Sequence, residues 1–232
     1  MRVVWLGRAR YQPVLTLQER LREAVLAGGE ETLLFVEHEP VITLGHRATS
    51  ADLLVSLPQL ASLGIETVTV RRGGQATYHG PGQLVVYPVV KLRGGVVGHV
   101  DWLTSAAVAV AASVGVRAEY RSDPVGVWVG SRKLGAVGVH VEHQVAIHGL
   151  SLNVLPEATA VFRKQLFVPC GHSGAQVTSL VEAGADDRTL TVSSVAERFA
   201  AALGAAYGTS SATMEACGLA SFFDDVSSGL AG

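Results

Sequence analysis

Residues 71–88, RRGGQATYHGPGQLVVYP, crowd four glycines, two prolines and a histidine between two apolar runs. Gly73, Gly74, Gly80 and Gly82 open backbone angles closed to other residues and let main-chain N–H groups approach a ligand with no Cβ in the way. Thr77, Tyr78 and His79 add polar tips. A turn-rich connection between strands would use the same glycines, but the length of the stretch and its density of polar side chains favour a loop that binds something. Thr67–Val70 delivers the chain into this loop as a strand, and Leu84–Leu92 leaves it as another, with Pro88 marking an edge or a bulge.

Outward from the loop the chain alternates strands and helices. Val3–Leu6 is a short buried strand, and Val14, Leu17, Leu21 and Val25 recur at helical spacing until Gly28 and Gly29. Thr32–Glu37 and Val41–Leu44 are strands broken by Pro40, and Leu57–Leu63 makes a short helix. After Gly94 and Gly95, Leu103, Ala107, Val110 and Val114 line one helical face that Gly115 ends. Arg117–Tyr120, Val125–Val129, Lys133–Val141 and Val145–Val154 follow as strands. Their breaks at 130–132 and 142–144 are short enough for hairpins, so the sheet is mixed. Pro156–Phe167 is irregular or weakly helical. A terminal helix spans about Ser194–Leu203, where Ser194 and Glu197 have capping-box spacing. The composition predicts one domain over 1–207 and a poorly ordered tail over 208–232.

The 232 residues are 48% hydrophobic, ample for one continuous core. A net charge of −2 excludes a globally basic nucleic-acid binder, so any acidic partner must be met by a local patch. Two cysteines, Cys170 and Cys217, are too few for a disulfide framework and point to a reducing compartment. No basic-then-apolar leader opens the chain and no apolar run approaches the roughly 18 residues of a membrane span. A cytoplasmic protein without a membrane partner is expected.

Two residues stand out as chemistry. Cys170, between Pro169 and Gly171 and followed by His172, lies at a chain reversal with little bulk beside it; the alternative is a small buried hydrophobe. A nucleophilic cysteine needs a neighbour that favours its thiolate. Lys133, one of three lysines beside fifteen arginines, can supply an amine whose pKa moves as a guanidinium's cannot; the alternative is a solvated hairpin lysine. His79, His140, His148 and His172 are competing partners. Cys170 with His172, or His140 with His143, could be metal-ligand pairs, but the spacing of the second pair puts the rings on opposite faces of a strand, and CxxC and HExxH are absent. No metal is expected. With neither a P-loop nor GxGxxG, nothing signals bound ATP or a dinucleotide, and no cofactor is expected.

Four motifs in order, RRGGQATYHGPGQLVVYP at 71–88, RKLGAVGV at 132–139, HGLSLNV at 148–154 and VPCG at 168–171, resemble the octanoyltransferase (LipB) family of lipoate biosynthesis, with TLGHRA at 43–48 in support. The resemblance spans about residues 33–180. It implies an α/β (α+β) fold, a mixed sheet flanked by helices like the catalytic domain of biotin and lipoate protein ligases. It also implies transfer of an octanoyl group from octanoyl-acyl carrier protein to a specific lysine of lipoyl domains, those of 2-oxoacid dehydrogenase complexes and the glycine cleavage H protein. Cys170 matches the family's acyl-thioester nucleophile and Lys133 the residue that lowers its pKa. Arg72, Gly73, Gly74, Gln75, Ala76, Thr77, Tyr78 and His79 match the main substrate-binding loop, and Ala136, Val137, Gly138, Gly149, Leu150 and Ser151 two shorter segments. Gly135 departs from the alanine usual there. Small apolar residues at 136–138 would give the acyl chain a slot, and Arg72 and Arg132 are candidates for docking an acidic carrier. The rivals are an ATP-dependent lipoate or biotin ligase on the same fold, which has no use for a cysteine nucleophile, and a non-catalytic acyl-binding module.

Overall fold

The computed structural model describes residues 1–169, 177–186, 189–207 and 213–229, the side chains of 206–207 and 227–229 excepted. The strands are β1 (Arg2–Ala9), β2 (Thr32–His38), β3 (Val41–Leu44), β4 (Glu66–Thr69), β5 (Ala76–His79), β6 (Gln83–Lys91), β7 (Glu119–Ser122), β8 (Val125–Val129), β9 (Arg132–Glu142), β10 (Val145–Asn153) and β11 (Glu215–Ala216). The helices are α1 (Tyr11–Leu26), α2 (Leu57–Ser62), α3 (Gly95–Ser113), α4 (Glu157–Ala160), α5 (Val192–Tyr207) and α6 (Leu219–Gly229). Eight strands make one mixed sheet in the order β11-β1-β2-β6-β10-β9-β8-β7, and β4-β3-β5 make a second, smaller one.

Alternation along the central strands divides the core in two. Leu33 and Phe35 of β2 and Leu84, Val86 and Val90 of β6 face α3 and α5. Leu34 and Val36, with Val85, Tyr87 and Val89, face α1 and α6. Both faces are buried, which is why these strands read as continuous apolar runs. The second sheet packs through Ile42, Ala76 and Tyr78 against Leu60 of α2 and the phenylalanines 162 and 167. Helix α3 buries Leu103, Ala107 and Val110 as its spacing predicts. Its 19 residues, with mean hydropathy 1.3, reach the length and composition of a membrane span, against the expectation that no apolar run approaches one; His99 and Asp101 interrupt the run.

Several expectations need correction. Pro88 does not mark an edge, because β6 lies between β2 and β10 in the middle of the sheet. It marks an irregularity instead. The β6–β10 ladder runs from Gln83↔Asn153 to Val86↔Leu150, opens, and resumes at Val90↔Ala146. Pro88, which has no N–H to donate, sits in that gap. Opposite it, His148 takes a positive φ of 59°, and its freed N–H donates to Gln18 Oε1 of α1 at 2.8 Å. A Cβ on the adjacent Gly149 would lie 2.1 Å from the Val86 carbonyl oxygen, so the pinch admits glycine alone.

The cap of α5 is Thr191 rather than Ser194: Ser194 N–H donates to Thr191 Oγ1 and Thr191 N–H to Ser194 Oγ, both at 3.1 Å. The expected loop of 71–88 contains the strand β5. The tail is also more structured than expected over 213–229. There β11 pairs in parallel with β1, and α6 buries Phe222 against the α1 face. Arg2 ties the segment down through Glu215 and Asp225. β11 is two residues long and gives no local sign, but Leu219, Phe222, Phe223 and Val226 recur at helical spacing, a stripe that the expectation of a tail of small and polar residues passed over.

The pinch makes a test. Gly149→Ala should lower unfolding free energy by at least about 2 kcal/mol in denaturant titrations, since neither the backbone oxygen nor Pro88 can retreat. A loss below about 0.5 kcal/mol would show that the strand relaxes freely.

Candidate active site

A cavity of about 400 Å³ opens over β9 and β10, roofed by the glycine loop. The loop is stitched in place by backbone. His46 N–H donates to Arg72 O and Arg47 N–H to Gly74 O, each at 3.0 Å, and Gly73 N–H reaches Val139 O on β9 at 3.1 Å. Arg72 locks the assembly from inside: Nη2 donates to Thr43 O and Oγ1, both at 2.7 Å, and Nη1 to Gly73 O at 2.9 Å. Only 6% of Arg72 is exposed, so it is a buried clamp and not the surface cation expected to dock a carrier. Arg132, together with Arg47 and Arg71, is exposed.

Of the expected substrate-binding residues, Arg72, Gly73, Gly74, Gln75, Thr77 and His79 line the cavity, as do 136–138 and 149–151. Ala76 and Tyr78 do not. Both lie on β5, where successive side chains alternate, and they face the packing of the second sheet against Leu60, Phe162 and Phe167; Tyr78 meets the Phe162 ring edge-on, and burial pushes its phenol up to about 12. Lys133 is on the same wall, with His148 and the 122–125 corner before β8. His140 lies apart, half-buried and 3.9 Å from Glu142. Cys170 and His172 fall outside the described residues. Cys217 sits half-buried beyond β11.

A second, smaller space of about 30 Å³ adjoins the first and shares Thr77, Lys133, Ala136 and Ser151 with it. Its remaining wall includes Phe162, Pro169 and Val177. Val177 forms a parallel bridge with Lys133, and Thr178 N–H donates to Lys133 O at 2.9 Å. The described residues that bracket 170–176 therefore both touch the space that Lys133 lines.

The floor is made of aromatic and imidazole rings that the sequence did not single out as a set: Tyr11, Tyr87 and His148, beside His79, with the fully buried His38 packed behind them. Tyr11 stacks on His79 with ring centroids 6.1 Å apart and approaches His148 Nδ1 at 3.5 Å. Tyr11 opens α1 and His38 ends β2, far from any motif; no local signal marks either one. Hydrogen bonding assigns the tautomers. His38 Nδ1 meets the Ala9 carbonyl at 3.0 Å and must donate, so Nε2 accepts from Tyr87 Oη at 2.9 Å. Asn153 Nδ2 donates to Thr178 O at 3.0 Å, and its Oδ1 accepts from Gln83 Nε2 at 2.9 Å. Gln83 Oε1 then accepts from His79 Nδ1 at 2.7 Å. His79 Nε2 therefore carries the lone pair, and the ring is an acceptor on the cavity side.

Burial keeps these imidazoles neutral. It lowers His38 to about 4 and, with Arg72 adding to it, His148 to about 3. His79 falls well below its ordinary value, first through burial and then through His38. Burial likewise raises Tyr11 to about 12. The site thus combines neutral imidazoles in its floor, a lysine on one wall and the glycine loop above.

This fold and cavity define a catalytic domain of the kind found in lipoate and biotin protein ligases. The structure overlays lipoate-protein ligase A bound with ATP with a TM-score of 0.76, covering 97% of this chain and 94% of that one at 15% identity. Biotin protein ligase from Leishmania major gives 0.51, covering 97% and 81% at 11% identity. The lipoyl protein ligase A/B catalytic domain model matches residues 10–204. Within that class the chain belongs to the octanoyltransferase (LipB) family: it is 37% identical over 225 residues to an octanoyltransferase of Acidobacterium capsulatum, 90% of each chain being covered.

The buried histidines predict a pH dependence. Unfolding releases each to its ordinary pKa of about 6.5, so below that pH the unfolded chain binds more protons than the folded one. Stability present above pH 6.5 should fall as pH drops towards the folded value, about 4 for His38. The denaturant midpoint should be flat from pH 7 to 8 and decline between 6.5 and 5, with a shallower decline in His38→Gln. An unchanged midpoint at pH 5 would contradict this.

Proposed function

We propose that this octanoyltransferase, which serves protein lipoylation, takes its octanoyl group from acyl carrier protein, holds it as a thioester on Cys170, and passes it to a specific lysine of lipoyl domains. Those domains belong to 2-oxoacid dehydrogenase complexes and the glycine cleavage H protein. The observation that carries this is the shared wall of Lys133, Pro169 and Val177, with Thr178 hydrogen-bonded to the Lys133 carbonyl. It tethers the ends of the segment bearing Cys170 beside the lysine.

The chemistry balances without a nucleotide, since a thioester is already activated. The Cys170 thiolate, stabilised by the Lys133 ammonium, attacks the carbonyl carbon of the donor. The oxyanion that forms is suited to backbone N–H donors. Collapse expels the carrier thiolate, which takes the proton from Lys133. The lysine, now a neutral amine, is ready to accept a proton from the acceptor's amine as that attacks octanoyl-Cys170. Expulsion of the Cys170 thiolate beside a recharged Lys133 restores the starting state. The acyl chain fits the cavity along 136–138, each buried CH₂ contributing about 0.8 kcal/mol.

Octanoyl carrier protein and a lipoyl domain, incubated with this chain, should give octanoylated domain equally with and without ATP. Cys170→Ala and Lys133→Arg should each lose at least about 10³-fold, because a guanidinium holds its proton. Dependence on ATP, or full activity in either variant, would overturn the assignment. Arg132→Glu should raise the KM for carrier several-fold and weaken the fall of rate with salt. Unchanged salt dependence would count against an electrostatic dock at this rim.

A further inference from the structure

On β8 the sequence VGVWV puts Gly126 and Trp128 two residues apart, so they face the same side of the sheet. Lys133 belongs to that side. It pairs directly with Trp128, and its Nζ lies 5.5 Å from the Trp128 ring centroid. Between the pairs Val127↔Gly135 and Trp128↔Lys133 the register shifts, with one more residue on β9 than on β8. Such a bulge turns a side chain out of the regular row.

The lysine then runs along β8 to Gly126. A Cβ built there would lie 2.5 Å from Lys133 Cε and 3.2 Å from Nζ, and 2.8 Å from the Gly135 carbonyl oxygen. Gly126 has a φ of +153°, which L side chains rarely adopt. The space in which the end of the lysine rests is therefore the space that a side chain at 126 would occupy. We propose that Gly126 is a positioning residue for the transfer reaction: its missing side chain is the seat that holds the Lys133 ammonium in the cavity, with the Trp128 ring as the wall behind it. The proposal rests on Lys133 being the group that ionises Cys170. It also accounts for a glycine in the middle of a strand, where glycine weakens pairing unless something must approach closely.

The same hairpin contains a matched control. Gly130 also has positive φ, +56°, yet a Cβ there would meet nothing within 4 Å. Gly126→Ala and Gly130→Ala both strain the backbone of one hairpin, but only the first displaces the lysine; it also crowds the Gly135 carbonyl oxygen, a contact that remains when Lys133 is shortened and is therefore separated by the double variant. In a Cys217→Ser background, so that one thiol remains, the rate of alkylation by iodoacetamide is followed against pH. The parent's midpoint should lie below the ordinary thiol value of about 8.5. Gly126→Ala should move it up towards that value and reduce transfer at least 10-fold, whereas Gly130→Ala should keep the parent's midpoint. A Gly126→Ala midpoint equal to the parent's, while Lys133→Ala shifts it, would overturn the seat alone. A midpoint that does not move in Lys133→Ala would overturn the lysine's role and the seat with it. Should Gly126→Ala fold poorly, the pair Gly126→Ala and Gly126→Ala/Lys133→Ala decides: the alanine should be better tolerated once the lysine is shortened. An equal loss of stability with and without the lysine would refute the proposal.

Discussion

The hydrogen bond from Thr178 N–H to the Lys133 carbonyl, 2.9 Å long, holds the site together. β10 pairs with β9 only as far as Leu152↔Gly135, so the start of β9 would have an open edge there. The segment from Val177 fills it, bridging Lys133 in parallel, and Asn153 clasps it from the end of β10 through the Thr178 carbonyl. One backbone contact thereby closes the sheet, fixes the lysine's strand and tethers the segment with Cys170. The Asn153 clasp continues through Gln83 to His79, so the same anchor sets the orientation of an imidazole in the cavity wall.

The cavity also depends on a local failure of the sheet. A regular β6–β10 ladder would pair every residue and leave His148 as one more member of a flat wall. Pro88 withholds a donor, Gly149 allows the close approach, and Gln18 takes up the His148 N–H. The irregularity is stabilised from α1, the helix that also supplies Tyr11. Most polar groups gathered at this depth satisfy one another, phenol to imidazole, imidazole to amide, amide to carbonyl, although Gln18 Nε2 is buried without a hydrogen-bond partner among the described residues.

Much of this was legible in the sequence, and the exceptions have physical reasons. Patterns confined to consecutive residues transferred well: the α3 stripe, the hairpin at 143–144 with positive φ at both positions, and the motif segments that line the cavity. The glycine loop was harder, because a binding loop and a short strand share composition. β5 alternates, so Ala76 and Tyr78 belong to packing while Thr77 and His79 belong to the cavity. Tyr11 and His38 were missed because their roles are set by partners that are distant in sequence. The Pro88 correction has the same origin, since strand order decides it; the pairing of β11 with β1 also lies beyond any window of residues, whereas α6 was legible in the helical spacing of Leu219, Phe222, Phe223 and Val226 and was passed over.

Capture of the acyl-enzyme tests the account most directly. The chain is mixed with octanoyl carrier protein in the absence of nucleotide and acceptor, quenched in acid, and its peptides are examined by mass spectrometry, before and after addition of a lipoyl domain. The account predicts one octanoyl group in hydroxylamine-labile thioester linkage at Cys170, cleared as the lipoyl-domain lysine becomes acylated. Octanoyl transfer to the domain with no acylated thiol at any time would contradict it.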